Sequence, residues 1–134
     1  MTHAEAPHVR DAMSTEVLMI GPLHTLRHAA RLMSQRQVGS AVVHNPETSG
    51  IGIITERDIL HALGHGLDAD DEAVEAHLTH NVVFATPLWT LDQAAEAMTR
   101  GGFRHLVVLE DDQVVGMISV RDIVRAWSRL PSAA

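Results

Sequence analysis

Short apolar runs and amphipathic stretches alternate along the chain, and the same order occurs twice. Residues 17–20 (VLMI) and 82–84 (VVF) are apolar runs halted by Pro22 and Pro87, too short for helices and suited to strands. Leu, Ala and Met then recur at helical spacing through residues 25–36 and 90–100. Thr25 and Thr90 stand where N-caps belong, and Gln93 completes a capping box with Thr90. Residues 40–44 and 105–110 read as β-branched strands. Turn-rich stretches at 45–50 and 110–113 lead from them to strands at 51–55 and 114–119. Closing helices are expected from about Glu56 to Leu63 and from Val120 to Ser128. Each half is thus strand, helix, strand, strand, helix.

The halves also match residue by residue. At an offset of 65, Val17, Pro22, Leu23, Thr25, Leu26, Ala29, Ala30 and Met33 meet identical residues, as do Val42 and Val43. After one residue is lost from a loop, Gly52, Ile54, Arg57, Asp58 and Ile59 match Gly116, Ile118, Arg121, Asp122 and Ile123. Ordered matches with a single gap point to a duplicated unit of roughly 55 residues. Between the copies runs HGLDADDEAVEAH, residues 65–77, whose acids suggest a solvated loop entering a short helix. It lacks the glycine and terminal glutamate spacing of a calcium loop.

Composition removes several functions. The 134 residues hold no cysteine, which excludes disulfides, thiol nucleophiles and thiolate metal sites. All ten cations are arginine, so neither a P-loop lysine nor a Schiff base is available. A net charge of −7 and only four aromatic residues, two Phe and two Trp, argue against nucleic acid and anionic membranes as partners. No apolar run approaches a membrane span, and the first residues lack signal-peptide character, so a cytoplasmic location is expected.

Thr55-x-x-Asp58 and Ser119-x-x-Asp122 fall where a strand turns into a helix. One reading is a capping box, hydroxyl at N-cap and carboxylate at N3. A second uses the same geometry: the helix N-terminus suits phosphate, and a carboxylate can accept from two ribose hydroxyls. One hydroxyl can do both, and the two readings stand side by side. Arg57 and Arg121 can fork onto phosphate or pair with neighbouring acids.

The doubled pattern of strand, proline, Ala-Ala and Met helix, Val-Val strand and G-x-I-[TS]-x-R-D resembles a tandem pair of cystathionine β-synthase (CBS) domains, a Bateman module. The resemblance covers residues 9–127, and the spacing and connector are similar to those of stand-alone CBS-pair proteins. It implies an α/β fold of two pseudo-twofold-related β-α-β-β-α units: residues 9–65, an acidic connector at 66–75, and residues 76–130. It further implies a homodimer and two clefts between the repeats for AMP, ADP, ATP or S-adenosylmethionine. By that resemblance one cleft joins Thr55, Arg57 and Asp58 with Val82, Val83, Phe84, Phe103, Arg104 and His105. The other joins Ser119, Arg121 and Asp122 with Val17, Leu18, Met19, Val38, Gly39 and Ser40. Only the first has a cation before its Val-Val strand, so phosphorylated adenosine is expected there.

Other features weigh less. His61 and His65, or His77 and His80, have ligand spacing, yet no HExxH or third ligand accompanies them, and no metal is expected. Met33, Met98 and Met117 suit core packing. No acid–base pair or nucleophile can be nominated, so the expected function is regulatory ligand binding and not catalysis. The alternative is a partner-binding module with vestigial clefts. Ala29, Ala30, Leu32 and Met33, with Ala94, Ala95, Ala97 and Met98, form small apolar helix faces that a chain this short is not expected to bury alone.

Overall fold

The computed structural model describes residues 7–45, 50–79 and 82–129. Helix α1 (Val9–Ala12) precedes β1 (Met19–Ile20), α2 (Leu26–Arg36), β2 (Ser40–Asn45), β3 (Gly50–Thr55) and α3 (Glu56–Gly64). A 3-10 turn (Val74–His77) then leads to β4 (Phe84–Ala85), α4 (Leu91–Gly101), β5 (His105–Glu110), β6 (Gln113–Ser119) and α5 (Val120–Ser128). The chain forms two compact units: a continuous one, Val17–Val82, and a split one, Met1–Glu16 with Val83–Ala134.

The continuous unit is a three-stranded sheet, β1-β2-β3, with β1 parallel and β3 antiparallel to the central strand. The split unit repeats this with β4-β5-β6. β1 and β4 keep only two residues each because the prolines that follow end the pairing soon after it starts. The β5–β6 hairpin turns through Asp111 and Asp112, whose φ of 52° and 63° are the left-handed pair a tight hairpin requires. Of the stretch expected to be the matching turn at 45–50, residues 46–49 lie outside the described residues.

Each sheet packs against the helices that follow its strands. Leu26, Ala29 and Met33 of α2 join Val43, Ile54 and Ile59 in one core; Leu91, Ala94 and Met98 of α4 join Val108, Ile118 and Ile123 in the other. Ala30, Leu32, Ala95 and Ala97 pack half-buried on the same cores. The helix faces expected to need a partner are therefore largely used within each unit.

Two segments depart from the sequence reading. Residues 68–72 keep their acids at or near the surface, but their backbone docks on α2. Leu26 N donates to Glu72 O and Arg27 N to Ala69 O, both at 3.0 Å, and the Arg27 side chain pairs with Asp70. That carboxylate raises the pKa of the Arg27 guanidinium. Helix α1 was not foreseen; it packs in the split unit through the fully buried Val9. Its place there equals that of the 3-10 turn in the continuous unit. Val9 N donates to Trp89 O and Val74 N to His24 O, each at 2.7 Å. Further on, Ser14 pairs with Met117 and Thr79 with Ile53. No described helix is long and apolar enough to cross a membrane.

Candidate functional site

The Thr55 and Ser119 boxes form where β3 and β6 give way to α3 and α5. Both N-caps are extended, with φ of −117° and −114°, so the hydroxyl can turn back to the N3 amide. Asp58 N donates to Thr55 Oγ1 and Asp122 N to Ser119 Oγ, both at 3.2 Å. In return, Thr55 N donates to Asp58 Oδ2 at 2.9 Å and Ser119 N to Asp122 Oδ2 at 2.8 Å. The capping reading is therefore realised in both copies. It uses one oxygen of each carboxylate. The boxes differ in one bond: the Thr55 hydroxyl also donates to Asp58 Oδ2, at 2.9 Å.

Topology sets which residues surround each box. In the continuous unit Ser40 lies opposite Thr55 in the ladder, and Glu56 N donates to Gly39 O at 2.9 Å. A Cβ on Gly39 would stand 3.3 Å from the Glu56 carboxyl carbon, so that acid covers the glycine. Val38 leads into this turn, and Leu18 O accepts from Val42 N at 2.9 Å, which sets Val17, Leu18 and Met19 along the neighbouring strand. Leu18 and Ser40 are buried, Val17 and Val38 half-buried, and Met19 exposed.

In the split unit His105 lies opposite Ser119, and Val120 N donates to Arg104 O at 3.0 Å. Here valine replaces the acid at the first position of the helix, and Arg104 stands exposed beside it. Among the described residues Arg104 pairs with neither Glu110 nor Asp111, and Arg57 and Arg121 form no ion pair. Val83 and Phe103 are half-buried and Phe84 is exposed. Thus Gly39 and Ser40 share a unit with Thr55–Asp58, and Arg104 and His105 share one with Ser119–Asp122. Each cleft expected from the resemblance draws on both units.

Among the described residues, histidine pairs occur without a third ligand. The rings of His24 and His28 stack at 4.4 Å, and those of His61 and His65 meet at 4.2 Å. His77 Nε2 lies 2.7 Å from Glu72 Oε1, while His80 falls outside the described residues. Among the described residues no group of three or more His, Asp or Glu side chains is placed to share a metal ion.

Sequence reasoning missed a groove of about 520 Å³ along α4, whose lining includes Trp89, Gly101 and Phe103. The departure from the repeat at these positions was its available signal: the first copy has His24, Arg36 and Val38 there.

Residues 9–65 and 74–129 each match the CBS domain family model. Protein MJ1225 of Methanocaldococcus jannaschii is 32% identical over 117 residues, which are 87% of this chain and 41% of that protein. The chain thus spans about two fifths of that relative's length. The structure of the CBS-domain containing protein ATU1752 from Agrobacterium tumefaciens is similar, with TM-score 0.81 at 32% identity over 95% of this chain and 98% of that one. The CBS domain pair of protein MJ0100, solved in complex with 5′-methylthioadenosine and S-adenosyl-L-methionine, shares the fold with TM-score 0.80 at 23% identity, covering 92% and 98% of the two chains. With both copies of the repeat matched and the architecture shared, this chain belongs to the CBS-domain family as a tandem pair of CBS domains.

Proposed function

We propose that the chain is a regulatory module that binds an adenosyl compound (AMP, ADP, ATP, S-adenosylmethionine or its thioether product) at its two hydroxyl–carboxylate boxes. The observation that carries this reading is the half-used carboxylate. In each box Oδ2 of the Asp completes the cap, while Oδ1 makes no hydrogen bond among the described residues. A carboxylate oxygen fixed at a helix N-terminus is a ready acceptor for ribose hydroxyls, and the positive end of the helix dipole favours an anion. Support also comes from the MJ0100 pair, which has this fold and is known with two adenosyl ligands. Binding, not bond-making, is what these groups offer: they hold a ribose without supplying a nucleophile.

Calorimetry with AMP, ATP, S-adenosylmethionine and 5′-methylthioadenosine tests the reading. Asp58→Ala and Asp122→Ala should each weaken binding at their own box by on the order of 1.5–3 kcal/mol, the worth of a charge-assisted bond. Loss of the cap should cost folding about 0.5–2 kcal/mol. Because each cap is made entirely by the chain's own groups, the competing reading is a partner-binding module with vestigial clefts. Variants that melt lower yet titrate like the parent, or a parent that binds none of the four compounds, decide for it.

A further inference from the structure

Helix α2 carries charge of one sign in a chain that is acidic elsewhere. Residues 17–46 hold three arginines and three histidines and no acid, although the net charge of the whole is −7. Leu26, Ala29 and Met33 form the buried side of the helix. His24, Arg27, His28, Arg31 and Gln35 recur at spacings of three and four on its other side. The rings of His24 and His28 stack there, and Arg27 and Arg31 are exposed. We propose that this face of α2 is a docking surface for a carboxylate-rich segment of a partner protein.

The charge does little for the helix that bears it. Arg27 stands in the first turn, where the macrodipole favours acids, and α2 has none there. Every other described α-helix has one: Asp11, Glu56 with Asp58, Asp92 and Asp122. Arg27 and Arg31 are also like charges four apart, an arrangement that weakens a helix. The duplicated copy shows that the fold does not ask for it. At the matching positions α4 has Asp92 and Glu96, and Glu96 pairs with Arg100 at 2.6 Å. A local rule broken in one copy and kept in the other marks a place where function overrides stability.

The connector shows which chemistry fits. As its backbone docks on the start of α2, Asp70 pairs with Arg27. Among the described residues Arg31 and Arg36 form no ion pair, so the cations continue beyond the acid that meets them. Guanidinium groups take carboxylates through two parallel bonds, and a few such groups match a short acidic segment. They do not match the long phosphate ladder of nucleic acid, which the net charge also opposes.

Fluorescein-labelled poly-L-glutamate tests the surface on the full chain without nucleotide, so the outcome does not depend on the adenosyl reading. Anisotropy should show saturable binding that weakens as salt rises. Arg31→Glu should weaken it about tenfold, the loss of one charge-assisted pair. Its melting temperature should hold or rise, because Arg27 gains a carboxylate four residues on. If that variant unfolds, Arg31→Ala removes the guanidinium without adding charge and must lose affinity as well. Arg125→Glu on α5 changes the net charge equally and should bind like the parent. Equal losses in the α2 and α5 variants overturn the inference, leaving only the charge of the whole chain. Absence of binding at low salt overturns it too. So does tighter binding of a single-stranded oligonucleotide of equal charge, which makes the face a phosphate site. An Arg31→Glu variant that sediments differently from the parent gives the face to a second copy, and the partner reading falls.

Discussion

Gly116 and Gly52 sit at equivalent places in β6 and β3 because another stretch of backbone crosses them closely. A Cβ on Gly116 would stand 2.7 Å from Met13 Sδ and 2.8 Å from Ser14 O. On Gly52 it would stand 3.1 Å from both Leu78 Cδ1 and Thr79 O. Methionine can swing aside, but the Ser14 carbonyl is held by Met117 N at 2.9 Å. Gly116→Ala should therefore cost about 1–3 kcal/mol, the usual range for overpacking, and Gly52→Ala less. Urea unfolding of the two variants checks the order; equal costs would mean that the crossing segments yield alike. The repeated phrase showed that a small residue was wanted at both places. It did not show why, because the contact lies far away in sequence.

At the scale of elements, the two copies exchange their leading segments. Residues 8–14 dock on the split unit as residues 73–79 dock on the continuous one, through His8↔Thr90 and Thr25↔Ala73 at one end and Ser14↔Met117 and Ile53↔Thr79 at the other. The residues just before these segments cap the starts of the long helices, since Leu91 N donates to Pro7 O as Leu26 N does to Glu72 O. Val9 and Val74 are the buried anchors, one per copy. Truncating either to alanine removes two methyl groups from a core and should cost about 2 kcal/mol. Hydrogen exchange should then show faster opening at Ser14–Met117 for Val9→Ala and at Thr79–Ile53 for Val74→Ala. Protection that falls evenly over the chain in both variants would contradict local anchoring.

The strands and the long and closing helices were legible because their apolar spacing follows the period of each element, and duplication confirmed it. The short helix expected at the end of residues 65–77 is present as the 3-10 turn Val74–His77. The docking of the two leaders was not legible, although Val9 and Val74 obey the same offset of 65 as the rest. A four-residue helix has too few turns to show a period, and only its docking partner reveals its role. The boxes were legible for the opposite reason, since capping is local and its spacing is written in the chain. The α4 groove depends on a ring lying over Gly101, which no spacing announces.

For the whole molecule, the question is what covers the apolar side chains that each unit leaves in solvent. Ala29, Met33, Ala94 and Met98 do not pose it, being buried in their own cores. Leu60 and Leu63 of α3, 71% and 47% exposed, do, and so do Val120, Val124 and Trp127 of α5 at 43%, 55% and 42%. On each helix these residues are three or four apart, so they form an exposed stripe flanking the buried Ile59 and Ala62, or Ile123. Scattered exposed leucines need no explanation, but two equivalent stripes in two copies of one repeat do. A net charge of −7 opposes self-association, which the burial of such stripes must outweigh. The proposal is a homodimer that buries both stripes. Leu60→Glu with Val124→Glu should then yield a folded monomer, because a carboxylate placed in each stripe would lose its water on assembly. Sedimentation equilibrium at micromolar concentration reads the outcome, with circular dichroism confirming that the variant stays folded. A parent that sediments as a monomer with and without nucleotide sinks the proposal. A double variant that still dimerises moves the interface off α3 and α5.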